Sequence, residues 1–214
     1  MKNKTLRKPD IMDELHTLHA ERQEVIRARL EEFSRVPPSE YFYELAYCLL
    51  TPQSSAMNCD RVVRILRDCD FYRAEIDPEP LLHQGSVYVR FHKTKAQRLI
   101  ELKKRFPLVL AALVNGYDSR ALREWLVLNV KGLGYKESTH FLRNIGHRGL
   151  AILDRHILRN LKRYGVIRRI PHTLSRRRYK QIERKFMNFA DAVGIPMDEL
   201  DLLIWSMETG EVLK

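Results

Sequence analysis

The amino-acid sequence predicts an all-α fold. Apolar residues recur at a spacing of three to four over most of the chain. Ser, Asp, Gly and Pro punctuate that pattern into some ten or more helical runs. A single short stretch, Val87–Phe91, is the one strand candidate. A lone strand of that length cannot found a sheet, so the helices must bury their apolar faces against one another.

The first helix is expected over Asp10–Phe33, where Ile11, Leu15, Leu18, Val25, Ile26, Leu30 and Phe33 mark one face. Pro37-Pro38 stops it, and Ser39 is placed to cap a second run, Tyr41–Leu50. That run is apolar nearly all round, which predicts a central, buried helix. Thr51–Ser55 then breaks the chain and opens a helix reaching about Arg67. Asp77-Pro78 starts a short helical piece that Gly85 closes. Thr94 is the expected cap of a helix to about Arg105, which Pro107 restarts and Asn115-Gly116 ends. Ser119 is expected to cap the helix leading into Lys131-Gly132-Leu133-Gly134-Tyr135-Lys136, a glycine-bounded turn. A helix begins near Lys136 and stops at Gly146. The remaining helices are Asp154–Tyr164, Ser175–Val193 and Asp198–Glu208, followed by the tail Thr209–Lys214.

The composition narrows the function classes. A chain of 214 residues can hold one domain or two small ones around a real core. Its net charge is +11, and the distribution says more than the total. Residues 143–185 carry fourteen Lys or Arg against Asp154 and Glu183, a local charge of +12, so the rest of the chain is near −1. Such a stripe suits a polyanion such as nucleic acid; on charge alone, a solvated basic surface stays open. Three cysteines, Cys48, Cys59 and Cys69, form neither a disulfide framework nor a zinc-ligand pattern, and Cys48 and Cys59 read as small buried hydrophobes. The chain has no signal-peptide pattern and no apolar run of ~18 residues, so a soluble cytoplasmic protein without membrane contact is expected.

The turn at 131–136 carries the chemistry. Gly132 and Gly134 allow positive φ and the close approach of another backbone. The free N–H groups of the following helix, with its positive end, make a phosphate site, and Lys131 lies beside it. Lys136 sits in that first turn. A cation there opposes the macrodipole, so the position favours an amine that gives up its proton easily and can attack an electrophilic carbon to form a Schiff base. A phosphate contact or a solvated lysine remains the alternative. Asp154 precedes a helical run and is a natural N-cap. The same held carboxylate could accept a proton or stabilise a developing sugar cation.

These residues resemble the helix-hairpin-helix DNA glycosylases with lyase activity, and more closely the type-2 8-oxoguanine DNA glycosylase/lyases. The likeness rests on Leu50–Ala56, Val89-Arg90-Phe91, Lys131–Gly146, Ala151–Leu158 and Trp205–Lys214, and so reaches from about residue 40 to the end. It implies a two-lobed helical fold. One lobe, 38–148, would carry the hairpin, and 1–37 with 149–214 would form the other, with Lys136 and Asp154 facing each other across the cleft. It implies excision of 8-oxoguanine from duplex DNA by Lys136, β-elimination 3′ to the lesion, and Asp154 as the partner that orients or deprotonates the lysine. Gly132, Gly134 and Lys131 would hold the DNA backbone.

The resemblance also assigns base recognition. Trp205 would stack on the flipped base, with Phe91 on its other face; plain core packing is the alternative for Trp205. The carboxylate of Lys214, otherwise a frayed tail, would tell 8-oxoguanine from guanine. Gln53, otherwise a turn residue, would fill the gap left by the flipped base or contact the nucleotide. Arg90 reads equally as a phosphate contact or a structural ion pair. No metal or organic cofactor is implied, since no cysteine beyond Cys69 could hold an iron–sulfur cluster. A monomer with double-stranded DNA as its partner, and no obligate protein partner, is expected. Three other readings stay open: the same chemistry on an oxidised pyrimidine or abasic site, a non-catalytic helix-hairpin-helix module, and an RNA-binding protein.

Overall fold

Where the sequence spaces its apolar residues at three to four, the chain coils. The computed structural model describes residues 8–85 and 87–210. Among these it forms nine α-helices, two short 3-10 turns and no strand. The α-helices are α1 (Lys8–Ser34), α2 (Tyr41–Leu50), α3 (Ala56–Asp68), α4 (His92–Val114), α5 (Ser119–Asn129), α6 (Tyr135–Asn144), α7 (Arg155–Arg163), α8 (Arg176–Val193) and α9 (Met197–Thr209). No described helix is long and apolar enough to cross a membrane.

The chain divides into two compact units. Residues 36–145 form one, and the N-terminal residues to Arg35 together with those from Gly146 onward form the other. In the first, α2 is the hub and packs against α3, α4 and α6. Every residue from Phe42 to Leu50 is buried, as its all-round apolar pattern predicts. Phe42 meets Tyr72 and Phe106 at ring-centre distances of 4.8 and 5.3 Å. Burying such a ring stabilises the fold by about 2–3 kcal/mol. Cys48 and Cys59 are fully buried, and burial pushes the Cys59 thiol up to about 11.

In the second unit α1 lies along α9, which also packs against α7 and α8. Leu15, Ile26, Leu30 and Phe33 of α1 are buried, but Val25 is 58% exposed. Ile26 holds the buried line and turns its neighbour outward. Polar ties flank the apolar seam: His19 Nε2 lies 2.6 Å from Glu199 Oε2, and Arg22 donates to Ser206 Oγ at 2.8 Å. Gly146 (φ +93) packs on the end of α1, where a Cβ would stand 2.8 Å from Ser34 Cα.

Several boundaries differ from expectation. Ser39 does not cap α2; it lies inside a 3-10 turn, Pro38–Glu40, that feeds the helix. Asp118, one residue before Ser119, caps α5 by accepting from Ala121 N at 2.8 Å. Helix α4 starts at His92, ahead of Thr94, and runs through Pro107. A proline inside a helix costs ~3 kcal/mol. The apolar residues on both sides, Leu99, Leu102, Phe106, Val109 and Ala112, are buried together and offset that cost. Val87–Phe91 is not a strand. Its amides turn back on the preceding loop, Val87 N to Gln84 O at 3.0 Å and Val89 N to Leu82 O at 2.8 Å, and Phe91 already turns left-handed.

Candidate active site

Helices α5 and α6 are joined by a hairpin closed by Leu133 N donating to Val130 O at 3.2 Å. Only one of its glycines needs positive φ. Gly132 has φ +96, whereas Gly134 is extended at φ −96. Gly134 is the N-cap of α6, and Ser138 N donates to its carbonyl at 3.0 Å. The amides ahead of that first helical bond point out of the turn, with the positive end of the helix behind them. The two helices are latched from behind. The buried Arg123 of α5 lies over the Tyr135 ring and donates to Thr139 Oγ1 at 3.3 Å, and Tyr135 donates to Glu124 Oε2 at 2.5 Å.

Lys136 is the second residue of α6, with its side chain one-third exposed. Its Nζ lies 3.1 Å from Glu137 Oε1. The other oxygen of Glu137 accepts from Gly134 N at 3.2 Å. One carboxylate therefore ties the amine to the hairpin backbone. Lys131 is exposed and pairs with Glu101 at 3.1 Å. Beside it, a groove of about 540 Å³ is lined by Lys104, Arg105, Lys131 and Gly132 among others.

In the other unit, Asp154 is the N-cap of α7. A single oxygen, Oδ1, accepts from His156 N and Ile157 N, both at 2.8 Å. The chain reaching it is pinned amide by amide. Ala151 N donates to Glu183 Oε1 at 3.0 Å, Ile152 N to Asp201 Oδ2 at 3.2 Å and Leu153 N to Tyr179 Oη at 3.2 Å. A carboxylate held on a buried backbone keeps its direction.

Gln53 and Phe91 are both left-handed, at φ +57 and +62. For non-glycine residues this costs on the order of 1–3 kcal/mol each and is kept where the surroundings impose it. Ser54 and Lys95 impose it here. Ser54 Oγ accepts from Arg90 N at 3.0 Å and from Lys95 Nζ at 2.9 Å. Lys95, 2% exposed, also donates to Leu50 O at 2.6 Å and Pro52 O at 2.8 Å. The exposed Phe91 ring carries the Arg90 guanidinium 4.9 Å above it. Arg90 thus packs on Phe91, its neighbour.

Burial lowers the Lys95 ammonium from 10.5 to about 8. Between these values the unfolded chain still holds a proton that the folded chain has shed, so this residue's contribution to stability rises with pH. The slope is at most about 1.4 kcal/mol per pH unit. Urea unfolding of the wild type and Lys95→Met at pH 8 and pH 10 should show their stability difference moving toward the wild type. An unchanged difference would mean that the ammonium is not destabilised by burial.

Trp205 lies on α9 and is half-buried. One turn on, Glu208 fastens α9 to α7 by accepting from Asn160 Nδ2 at 3.1 Å and meeting His156 Nδ1 at 3.2 Å. These bonds, that from His156 first, hold its carboxyl below the usual range. Of the basic run, Arg143 is buried, Arg148 donates to Leu30 O and Arg163 pairs with Glu14 at 2.8 Å. The exposed members include Lys162, Arg168, Arg169, Arg176, Arg177, Arg178, Lys180, Arg184 and Lys185.

The family model described as 8-oxoguanine DNA glycosylase matches residues 26–195, a span containing both the hairpin and Asp154. The chain belongs to the 8-oxoguanine DNA glycosylase family. A relative named 8-oxoguanine DNA glycosylase/AP lyase, from Korarchaeum cryptofilum, is 40% identical over 207 residues, covering 96% of this chain and 98% of its own. The crystal structure of the Methanocaldococcus jannaschii 8-oxoguanine glycosylase/lyase in complex with a 15mer DNA containing 8-oxoguanine superposes with a TM-score of 0.85 at 33% identity, covering 95% of this chain and 99% of that one. The Thermotoga maritima 8-oxoguanine DNA glycosylase gives 0.86 at 31% identity, with coverages of 97% and 100%.

Within this 8-oxoguanine DNA glycosylase fold, Gly132, Gly134, Lys131 and Lys136 lie together on one hairpin, and Gln53 and Phe91 lie on loops joined through Ser54. Asp154 and Trp205 belong to the other unit, and Lys214 lies outside the described residues. Sequence reasoning missed Glu137, although a Glu three residues past an N-cap is the signature of a capping box. It also missed Lys95, since no local pattern distinguishes a buried lysine from a surface one, and Arg98, whose side chain lies where a Gly132 Cβ would reach, 2.6 Å from Cδ.

Proposed function

We propose that this chain excises 8-oxoguanine from duplex DNA and then cuts the strand, with Lys136 as nucleophile. The observation that carries the assignment is the placement of Lys136 on the second residue of α6, among the outward amides of a glycine hairpin, in a member of this family. The damaged nucleotide is flipped from the stack at a cost of a few kcal/mol. The neutral amine attacks the anomeric carbon and the bond from that carbon to the base breaks, the base leaving with a proton. The sugar ring then opens, the C1′–O4′ bond breaking and O4′ taking up a proton, to leave a protonated imine with Lys136. This makes the 2′ proton acidic, and its removal expels the 3′ phosphate and breaks the strand. Asp154 serves as the carboxylate that takes the lysine's proton and offsets the cationic sugar. Gly132, Gly134 and Lys131 hold the backbone, and Phe91, Trp205 and Gln53 hold the base and its gap. Lys214 is the residue that tells the N7–H of 8-oxoguanine from the N7 lone pair of guanine. The enzyme works as a cytoplasmic monomer.

Borohydride trapping across duplexes carrying 8-oxoguanine, guanine, an oxidised pyrimidine or an abasic site tests this. Adducts are expected on 8-oxoguanine and on the abasic site. Stronger trapping on the oxidised pyrimidine would replace the lesion named here. A second arm, with residues appended after Lys214, should lose preference for 8-oxoguanine over guanine; an unchanged preference removes Lys214 from the reading.

A further inference from the structure

We propose that Glu79, His83 and His92 form a site for a divalent transition-metal ion of the zinc type. The three offer ligand atoms that all lie within 4.8 Å of one another. Glu79 and His83 bracket a single 3-10 turn, Pro80–Leu82, as its N-cap and C-cap. His92 is the first residue of α4. The two imidazole rings stand 4.3 Å apart at an angle of 57°. One ring nitrogen of His92, Nδ1, is buried and makes no hydrogen bond. A buried polar atom left unpaired costs about 1–3 kcal/mol, which a bound cation would relieve directly or by fixing the ring's tautomer.

The scaffold around the three residues is firm. Asp77 Oδ1 accepts from Glu79 N at 3.0 Å and sets the start of the turn. Leu82 and Val89 are fully buried, and Val89 N donates to Leu82 O at 2.8 Å, so the turn and the approach to α4 are joined by backbone. Two imidazoles and one carboxylate suit Zn²⁺, Co²⁺ or Ni²⁺ rather than Mg²⁺ or Ca²⁺. A three-residue set of this kind leaves a coordination position for water. The ligands come from stretches separated in sequence, so a reading built on cysteine spacing passes over them. An ion here clips the turn to the residue that follows Phe91. It stands outside the chemistry assigned to Lys136, so its failure would leave that assignment untouched.

The test uses the full-length chain stripped with a chelator. Calorimetric titration with Zn²⁺ should show one saturable site and a raised melting temperature. His83→Ala and His92→Ala should each weaken that binding by ~100-fold or more, since even an outer partner's loss costs 10–100-fold. His83 is exposed, so its variant keeps the fold, and equal melting temperatures of the metal-free proteins check this. Co²⁺ in place of Zn²⁺ should give a spectrum without a thiolate-to-cobalt charge-transfer band. No saturable binding, binding untouched in His83→Ala, or a thiolate band pointing to Cys69 would each overturn the site.

Discussion

Lys136→Gln is expected to abolish the borohydride-trapped adduct with 8-oxoguanine duplex and to slow strand cutting by at least ~10³-fold, the scale on which a lost nucleophile is felt. The substitution is chosen to leave everything else standing. Gln has nearly the helix propensity of Lys, and the second position of α6 is partly exposed. Glu137 loses the cation at its Oε1 but keeps Gly134 N on its Oε2, so the hairpin remains closed. Thermal stability should change by no more than about 0.5 kcal/mol. Affinity for the lesion duplex should persist, since the hairpin amides proposed to meet the DNA backbone are unaltered. Lys136→Arg makes the control sharper. It keeps the positive charge and removes the nucleophilic amine, because a guanidinium does not deprotonate. If either variant, folded and DNA-bound, still nicks the lesion strand at the wild-type rate, Lys136 is a phosphate contact and another group performs the attack.

What could be read from the chain ahead of its structure depended on how local the signal was. Helix α2 was legible because an unbroken apolar run has one destination, the core. Asp154 was legible because a carboxylate before a helical run caps it, and it does. The start of α4 was not. Thr94 is a plausible cap, but Lys95 is drawn inward by two carbonyls and Ser54, and this long-range demand sets where the helix begins. Pro107 misled for the same reason: the buried residues on either side of it outweigh the local break. At the site, the hairpin was visible as a glycine pattern, yet the role given to its second glycine was wrong in detail, since Gly134 is extended. The basic run was visible as charge, but sequence cannot say that Arg143 is buried or that the exposed Arg163 is already paired with Glu14.

Asp154→Asn separates the two roles that one carboxylate can hold. Asparagine caps a helix about as well as aspartate, so the bonds from His156 N and Ile157 N should survive and stability should hold within a few tenths of a kcal/mol. What disappears is the negative charge. Both of those amides use Oδ1, which leaves Oδ2 as the oxygen available to take a proton or face a cationic sugar. Adduct formation on 8-oxoguanine duplex should therefore slow by roughly 10²–10⁴-fold, the range that general acid–base groups contribute. Asp154→Ala should lose the same rate and about 1 kcal/mol of stability besides, since the cap goes with the charge. The backbone leading to residue 154 is held by Glu183, Asp201 and Tyr179 rather than by the cap, so the alanine variant keeps the local chain path. Single-turnover trapping rates set beside urea unfolding of the three proteins decide the matter. A rate preserved in Asn and lost only in Ala would make Asp154 a helix cap alone and return proton removal to a neighbour of the amine, with Glu137 the first to examine because its oxygen already touches Lys136 Nζ at 3.1 Å.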